Sequence, residues 1–352
     1  MLQETLMIVV GEILGPDARY EVVRKFGFGM NSSVWLARDY FSAAQSQFVS
    51  IKVLSGSATE AERADITHEL GILQLLAEAQ ANRCLRLLGH FFMPGKVASE
   101  AESALWNVQS TSPLHRLGIA HTDLKQDNIM WDVDPELDIP SLLARDPPRL
   151  NPPEQSWKDE VVQTSVSQPL PLLGSLDMYM CRKFYIADFG SAQFVNEQVT
   201  DGITARSLRA PETILNGPWD EKVDIWTFGC LVFELIVGAG LFKYQRLPDR
   251  RLDAAGAHLW QMICFTGEFF KPKQLKYSRR AAWYLKRRTG YLKRNPPYIS
   301  TPFENLIRDH KLPGLSDADV LATAVFLRRC LRLDPYDRPS AEELLNDPFW
   351  VS

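Results

Sequence analysis

Apolar, β-forming residues cluster over residues 20–54 on either side of a turn, and the stretch reads as strands. Tyr20-Glu21-Val22-Val23 leads into a glycine-rich turn and Ser33-Val34-Trp35-Leu36-Ala37 leads out of it, which predicts a hairpin. Residues 48–54 predict a third strand. Over 59–80 the pattern takes the period of a helix, with Ile66, Leu70, Leu73 and Leu76 or Ala77 on one stripe. A short apolar strand over 85–92 follows. Beyond about residue 200 the pattern is mostly helical, clearest at 223–237, 254–265 and 317–333. A β-rich first part and a helical second part predict an α+β chain with two lobes. The expected division is an N-terminal extension over 1–19, a β-rich lobe over about 20–97 and a helical lobe over about 98–350. Residues 134–178 break the pattern. Pro135, Pro140, Pro147, Pro148, Pro152, Pro153, Pro169 and Pro171 lie there among acids, serines and glutamines, and the stretch reads as a disordered insertion rather than a third domain.

Composition narrows the class. The 352 residues are 45% hydrophobic and 23% charged, the balance of a globular protein with a sizeable core. A net charge of -4 does not suggest a nucleic-acid binder. Cys84, Cys181, Cys230, Cys264 and Cys330 show no zinc spacing and no disulfide framework, which points to a reducing compartment, cytoplasmic or nuclear. The first ten residues are apolar but short and lack a basic start, so no cleaved signal peptide is expected. No run approaches the ~18 apolar residues of a spanning helix. The stretch 225–237 carries Glu234 and reads as a buried helix. No membrane or nucleic-acid partner is expected, and a monomer is.

The first turn reads Gly27-Phe28-Gly29-Met30-Asn31-Ser32-Ser33-Val34. Small residues there let backbone amides approach a triphosphate, and they equally make an ordinary tight hairpin. Lys52 sits inside the next apolar strand, where a lysine either points to solvent or holds phosphate oxygens. Glu69 on the following helix is either its ion-pair partner or an exposed helix acid. The run His121-Thr122-Asp123-Leu124-Lys125-Gln126-Asp127-Asn128 is more specific. Phosphoryl transfer to an alcohol needs a carboxylate to accept the hydroxyl hydrogen bond, a cation to offset charge on the moving phosphoryl, and an amide with a second carboxylate to hold magnesium. Asp123, Lys125, Asn128 and Asp188 supply those types.

With Asp188-Phe189-Gly190 and Ala210-Pro211-Glu212 following in order, these residues resemble the eukaryotic protein kinase superfamily from about Tyr20 to Trp350. The resemblance implies the bilobal kinase fold, ATP and Mg²⁺ as cofactors, and a protein substrate. It implies that residues Gly27 to Val34 cover the phosphates, with serine at 32 in place of a third glycine and Val34 against the adenine. Lys52 then pairs with the α- and β-phosphates and with Glu69, and Asp123 is the catalytic base. Lys125 contacts the γ-phosphate, while Asn128 and Asp188 hold Mg²⁺. Glu212 is expected to pair with Arg338, and Asp224 to brace the catalytic loop.

Within that superfamily the chain is most similar to the SR-protein kinases, which phosphorylate serines in Arg/Ser-rich proteins. Thr122 stands where most kinases have arginine, Ser32–Asp39 is close to that family's phosphate-loop exit, and the insertion separates Asn128 from Asp188 by about 60 positions. LAMMER kinases share His-Thr-Asp, but their signature motif is not found. The usual arginine pairs with a phosphorylated activation-loop residue, and a threonine cannot. Activity without activation-loop phosphorylation is therefore expected. Two departures stand against the pattern. Ala205 occupies the place of a threonine that bonds the catalytic residues, with Thr204 beside it. Only residues 93–120 separate Phe92 from His121, about half of what a kinase uses for a fifth strand, hinge and two helices. No hinge is assignable there, and residues 98–108 are expected at most to form a short substitute helix. Two readings follow: an ATP–Mg²⁺-dependent serine/threonine kinase, or a non-catalytic kinase-like module that binds an Arg/Ser-rich partner.

Overall fold

The computed structural model describes residues 8–42, 47–93, 96–102, 111–132, 137–155, 161–171, 182–294, 296–310 and 314–350. The chain divides into two compact units, one of residues 1–107 with 129–190, the other of 108–128 with 191–352. The expected change of lobe near residue 97 is thus replaced by several crossings. The reason lies in strand pairing: Ile129–Trp131 pairs with Phe184–Ile186, and Ile186 bonds the backbone around Cys84.

The first unit carries the strands. β1 (Ile13–Leu14), β2 (Tyr20–Phe28), β3 (Ser32–Asp39), β4 (Phe48–Leu54), β5 (Arg86–Met93) and β6 (Lys96–Glu102) form one antiparallel sheet in the order β1-β2-β3-β4-β6-β5. Alternate side chains, Tyr20, Val22, Trp35, Ala37, Val49, Ile51 and Val53, make its core. Phe91 stacks on Tyr20 with ring centroids 5.7 Å apart.

β6 overturns part of the reading of residues 93–112. It is a strand where residues 98–102 were expected to be helical, and residues 103–108 lie outside the described stretch. Its Ala, Ser and Glu residues have low strand propensity, but pairing with both β4 and β5 outweighs propensity.

The predicted helix over 59–80 is two helices, α1 (Gly56–Arg63) and α2 (Glu69–Glu78). Asp65 adopts φ 58°, which ends the first. Glu62 caps the second: its carboxylate accepts the amides of Glu69 and Leu70 at 3.3 and 2.8 Å and the Thr67 hydroxyl at 2.7 Å. Ile66 is consequently exposed, and the buried stripe is Glu69, Ile72, Leu73 and Leu76.

The insertion is ordered in its described part, contrary to expectation. Asp138 caps a helix, Ile139–Arg145, that tolerates Pro140 in its first turn. Residues 149–155 and 161–166 then run antiparallel, with Val166 N donating to Arg149 O and Asn151 N to Thr164 O at 2.8 Å each. The prolines fit because the extended stretch leaves no helix to break.

The second unit is helical around the long apolar helix Lys222–Val237. Helix Asp317–Cys330 crosses it at Gly229, where an added Cβ would lie 2.8 Å from the Cys330 Cβ. His258, on helix Ala254–Thr266, is fully buried between Phe242 and Tyr244, with neither ring nitrogen partnered among the described residues. Burial, aided by the charge of Arg209, pushes its pKa down to about 3. The native state therefore refuses a proton that the unfolded chain takes up below about pH 6.5. Stability should fall by about 1.4 kcal/mol per pH unit below that point on this residue's account. His258→Leu should lose this component of the slope in unfolding measurements between pH 5 and 8, and an unchanged slope would rule the assignment out.

Candidate active site

In the first unit the glycine turn joins β2 to β3, with Gly29 N donating to Ser32 O at 2.8 Å. Gly27 and Gly29 keep negative φ, and an added Cβ at either meets nothing within 4 Å. Glycine is therefore not demanded there by the chain's own packing, and it leaves backbone open to a close-lying group. Phe28 and Met30 at the tip are exposed, Asn31 O accepts Ser55 N at 2.7 Å, and the buried Ser33 hydroxyl accepts Trp35 Nε1 at 2.9 Å. Val34 pairs with Gly27 on one side and Lys52 on the other.

Lys52 does not point to solvent. Its Nζ lies 2.5 Å from Glu69 Oε1 and 2.8 Å from Asp188 Oδ1. Burial works against its charge, but the carboxylates of Glu69 and Asp188 outweigh burial and raise its pKa above the usual lysine value. Asp188 follows strand Phe184–Ile186, adopts φ 63°, and keeps about half its side chain, 48%, exposed. This backbone conformation is costly for an aspartate, and it leaves the carboxylate half exposed beside the partly buried Lys52.

In the second unit helix Thr111–Arg116 accepts Pro113 in its first turn, so the proline does not interrupt it. The strand Ile119–Ala120 pairs with Gln193–Phe194, and the catalytic-loop motif follows. Asp224, fully buried, takes three donors: His121 N at 2.7 Å, Thr122 N at 3.0 Å and His115 Nε2 at 3.0 Å. Burial alone would raise its pKa. The hydrogen bond and charge of His115, with His121, outweigh burial and hold it below the ordinary aspartate range. Lys125 Nζ lies 2.7 Å from Asp123 Oδ2. Asn128 Nδ2 donates to Asp123 O at 2.9 Å and to its Oδ2 at 3.2 Å. Asp123, Lys125 and Asn128 thus form one constellation.

The activation segment is latched by neutral groups near the catalytic loop and by an Asp201–Arg279 ion pair further along. Thr122 Oγ1 donates to Ser191 O at 2.5 Å. The buried Gln193 amide accepts Val199 N and Thr200 N at 2.7 and 3.1 Å and donates to Thr200 O at 3.3 Å. Thr204, at φ 63°, turns its hydroxyl onto Thr122 O at 2.8 Å, so it reaches the catalytic loop although Ala205 holds the usual position. Gln193 and His115 had no distinguishing signal in the sequence, since a lone polar residue beside apolar ones carries no periodicity. A cavity of about 260 Å³ in this unit is lined by Lys125, Asp127, Ser207, Leu208, Leu231 and Glu234, among others. Glu234 is thus part of a concave surface and not only of a helix.

Comparison with known proteins agrees with this chemistry. The protein kinase domain family matches residues 178–350. A serine/threonine protein kinase of Aspergillus fumigatus is 26% identical over 361 residues, covering 95% of this chain and 85% of the relative. A serine/threonine-protein kinase SRPK of Physarum polycephalum is 25% identical over 97% of this chain and 88% of its own length. The dual specificity protein kinase CLK4 of Mus musculus is also 25% identical, over 97% of this chain and 67% of its own. A solved kinase domain shares the fold with a TM-score of 0.66 at 21% identity, covering 98% of both chains. Residues 178–350 match the protein kinase domain, the chain as a whole is similar to eukaryotic protein kinases, and it has their bilobal fold. As an enzyme it is an ATP-dependent protein kinase of the serine/threonine class.

The pair expected between Glu212 and Arg338 forms, bidentate at 2.6 and 2.7 Å and almost fully buried. Glu212→Ala leaves an uncompensated guanidinium under Trp226, whose ring centroid lies 5.2 Å away. It should cost roughly 3–5 kcal/mol of stability in chemical denaturation, and a loss under about 1 kcal/mol would contradict that assignment.

Proposed function

We propose that this kinase transfers the γ-phosphoryl of ATP to serine in Arg/Ser-rich proteins, and that it needs no phosphorylation of its own activation segment. The constellation of Asp123, Lys125 and Asn128 carries the reading. Asp123 accepts the hydrogen bond of the substrate hydroxyl and takes its proton. Lys125 offsets charge on the transferred group, and Asn128 and Asp188 are the Mg²⁺ ligands. Lys52, held by Glu69, binds the α- and β-phosphates under the turn from Gly27 to Val34. The residues fit these cofactors: the glycines leave open space, and Asp188 is a half-exposed carboxylate. When bound, ATP supplies the phosphoryl group and Mg²⁺ neutralises its charge.

Arginine-rich substrates are supported by the cavity at Lys125. Asp127 and Glu234 line it beside the apolar walls of Leu208 and Leu231, a lining suited to an arginine's aliphatic stem and charged head. Independence from phosphorylation is supported by Thr122 and Gln193, which latch the segment without an anion. Buried free thiols at Cys84, Cys230, Cys264 and Cys330 suit a reducing compartment, cytoplasm or nucleus. The reading as a non-catalytic module rested on an apparently missing segment, and β6 fills part of it.

The decisive assay is Mg²⁺-dependent transfer from labelled ATP to an Arg-Ser repeat peptide. Turnover should be lost by at least a thousandfold in Asp123→Asn and should fall strongly on a peptide with alanine for arginine. No turnover with the native chain would favour the binding module. A large rate increase after treatment with an upstream kinase, mapped to residues 191–209, would refute the claim of independence.

A further inference from the structure

The insertion is stitched to β2 just before the glycine turn. Gln168 N donates to Lys25 O at 2.8 Å. Arg24 Nη2 donates to the carbonyl oxygen of Asp146 and lies 3.1 Å from its Oδ2. Gln168 closes the ring. Its Nε2 donates to Asp146 Oδ1, Asp146 Oδ2 and Pro147 O at 3.2, 3.3 and 3.2 Å, and its Oε1 accepts Arg149 N at 2.7 Å.

The stitched residues sit where β2 is least constrained by its neighbours. Its pairing with β3 slips twice, between Val22 and Arg24 and between Lys25 and Gly27. On the outer edge β1 pairs only with Tyr20 and Glu21, and the backbone of Gly11 and Glu12 reaches no further than Val22. A doubly bulged strand with an open edge specifies its register weakly. Among the described residues, only the insertion bonds the β2 backbone on that edge beyond Val22.

Stability does not account for the arrangement. Arg24 is 0% exposed, yet Asp146, its one ion-pair partner among the described residues, is 46% exposed, and Arg24 Nε and Nη1 have no hydrogen-bond partner among them. An apolar pair of similar size would hold the insertion as firmly without stranded donors. A directional ion pair instead fixes where Arg24 lies along the insertion.

We propose that Arg24, Asp146 and Gln168 are positioning residues for the turn from Gly27 to Val34: the insertion sets the register of β2 and so the path of the phosphate-covering loop. The role assigned to that loop rests on the reading of it as the ATP site.

The test is the double variant Arg24→Met/Asp146→Leu in the full chain. Its melting temperature should equal or exceed that of the native chain. Amide hydrogen exchange over residues 26–33 should be at least tenfold faster, with β4 unchanged. KM for ATP should rise about five- to tenfold while KM for the peptide stays constant. Gln168→Ala, a gentler lesion, should shift exchange and KM in the same direction. Unchanged exchange over 26–33 would overturn the proposal. Faster exchange with an unaltered KM for ATP would overturn the positioning role. The exchange measurement needs no nucleotide, so a native chain that binds no ATP–Mg²⁺ would defeat the reading of the loop and leave the brace decided by exchange alone.

Discussion

One carboxylate organises the second unit. Asp224 is buried in the first turn of the central helix and takes the amides of His121 and Thr122 and the ring of His115. A buried carboxylate is tolerated only when its lone pairs are filled, so folding the helix obliges the catalytic loop to meet it. Thr122 adopts φ 62° there, a conformation a β-branched residue resists at a cost of about 1–3 kcal/mol. Its amide, hydroxyl and carbonyl are each bonded, to Asp224, Ser191 and Thr204 respectively. Helix packing at Gly229 is in this way converted into the position of Asp123, the next residue along.

The first unit uses the same device with opposite charge. Lys52 lies on a sheet strand and is 17% exposed, which is costly for an ammonium unless carboxylates neutralise it. Glu69 reaches it from α2, a helix whose start is fixed by Glu62 rather than by a continuous helix from α1. Asp188 reaches it from the strand pair that carries the insertion. A single cation thereby ties sheet, helix and the segment before the activation loop into one arrangement.

What the sequence disclosed follows the range of the forces involved. Strands rich in β-forming residues and long apolar helices were legible because local burial sets them, as in β2 to β4 and Lys222–Val237. The candidate site residues could be named from sequence because the family pattern sets particular types at particular spacings, and the fold brings Asp123, Lys125 and Asn128 together in one group and Lys52, Glu69 and Asp188 in another. The break between α1 and α2 was hidden because Glu62 caps a helix seven residues away and Ile66 mimics a core position. β6 was hidden because only pairing with β4 and β5 makes a strand of Lys-Val-Ala-Ser-Glu-Ala-Glu. The order in the insertion was hidden because its contacts include Arg24 and Lys25, far back in the chain, and proline content alone argued the other way. Gln193 and Thr204 matter through backbone bonds that leave no pattern in residue type.

The central claim is that the buried Asp224 carboxylate holds the catalytic loop ready for phosphoryl transfer. Its most direct test is Asp224→Asn, which keeps the shape but exchanges one acceptor oxygen for a donor. The rate of transfer from ATP to an Arg-Ser peptide and the thermal shift with ATP–Mg²⁺ would be measured side by side. The account predicts a loss of turnover of at least a hundredfold with the nucleotide shift preserved; turnover within twofold of the native chain would contradict it.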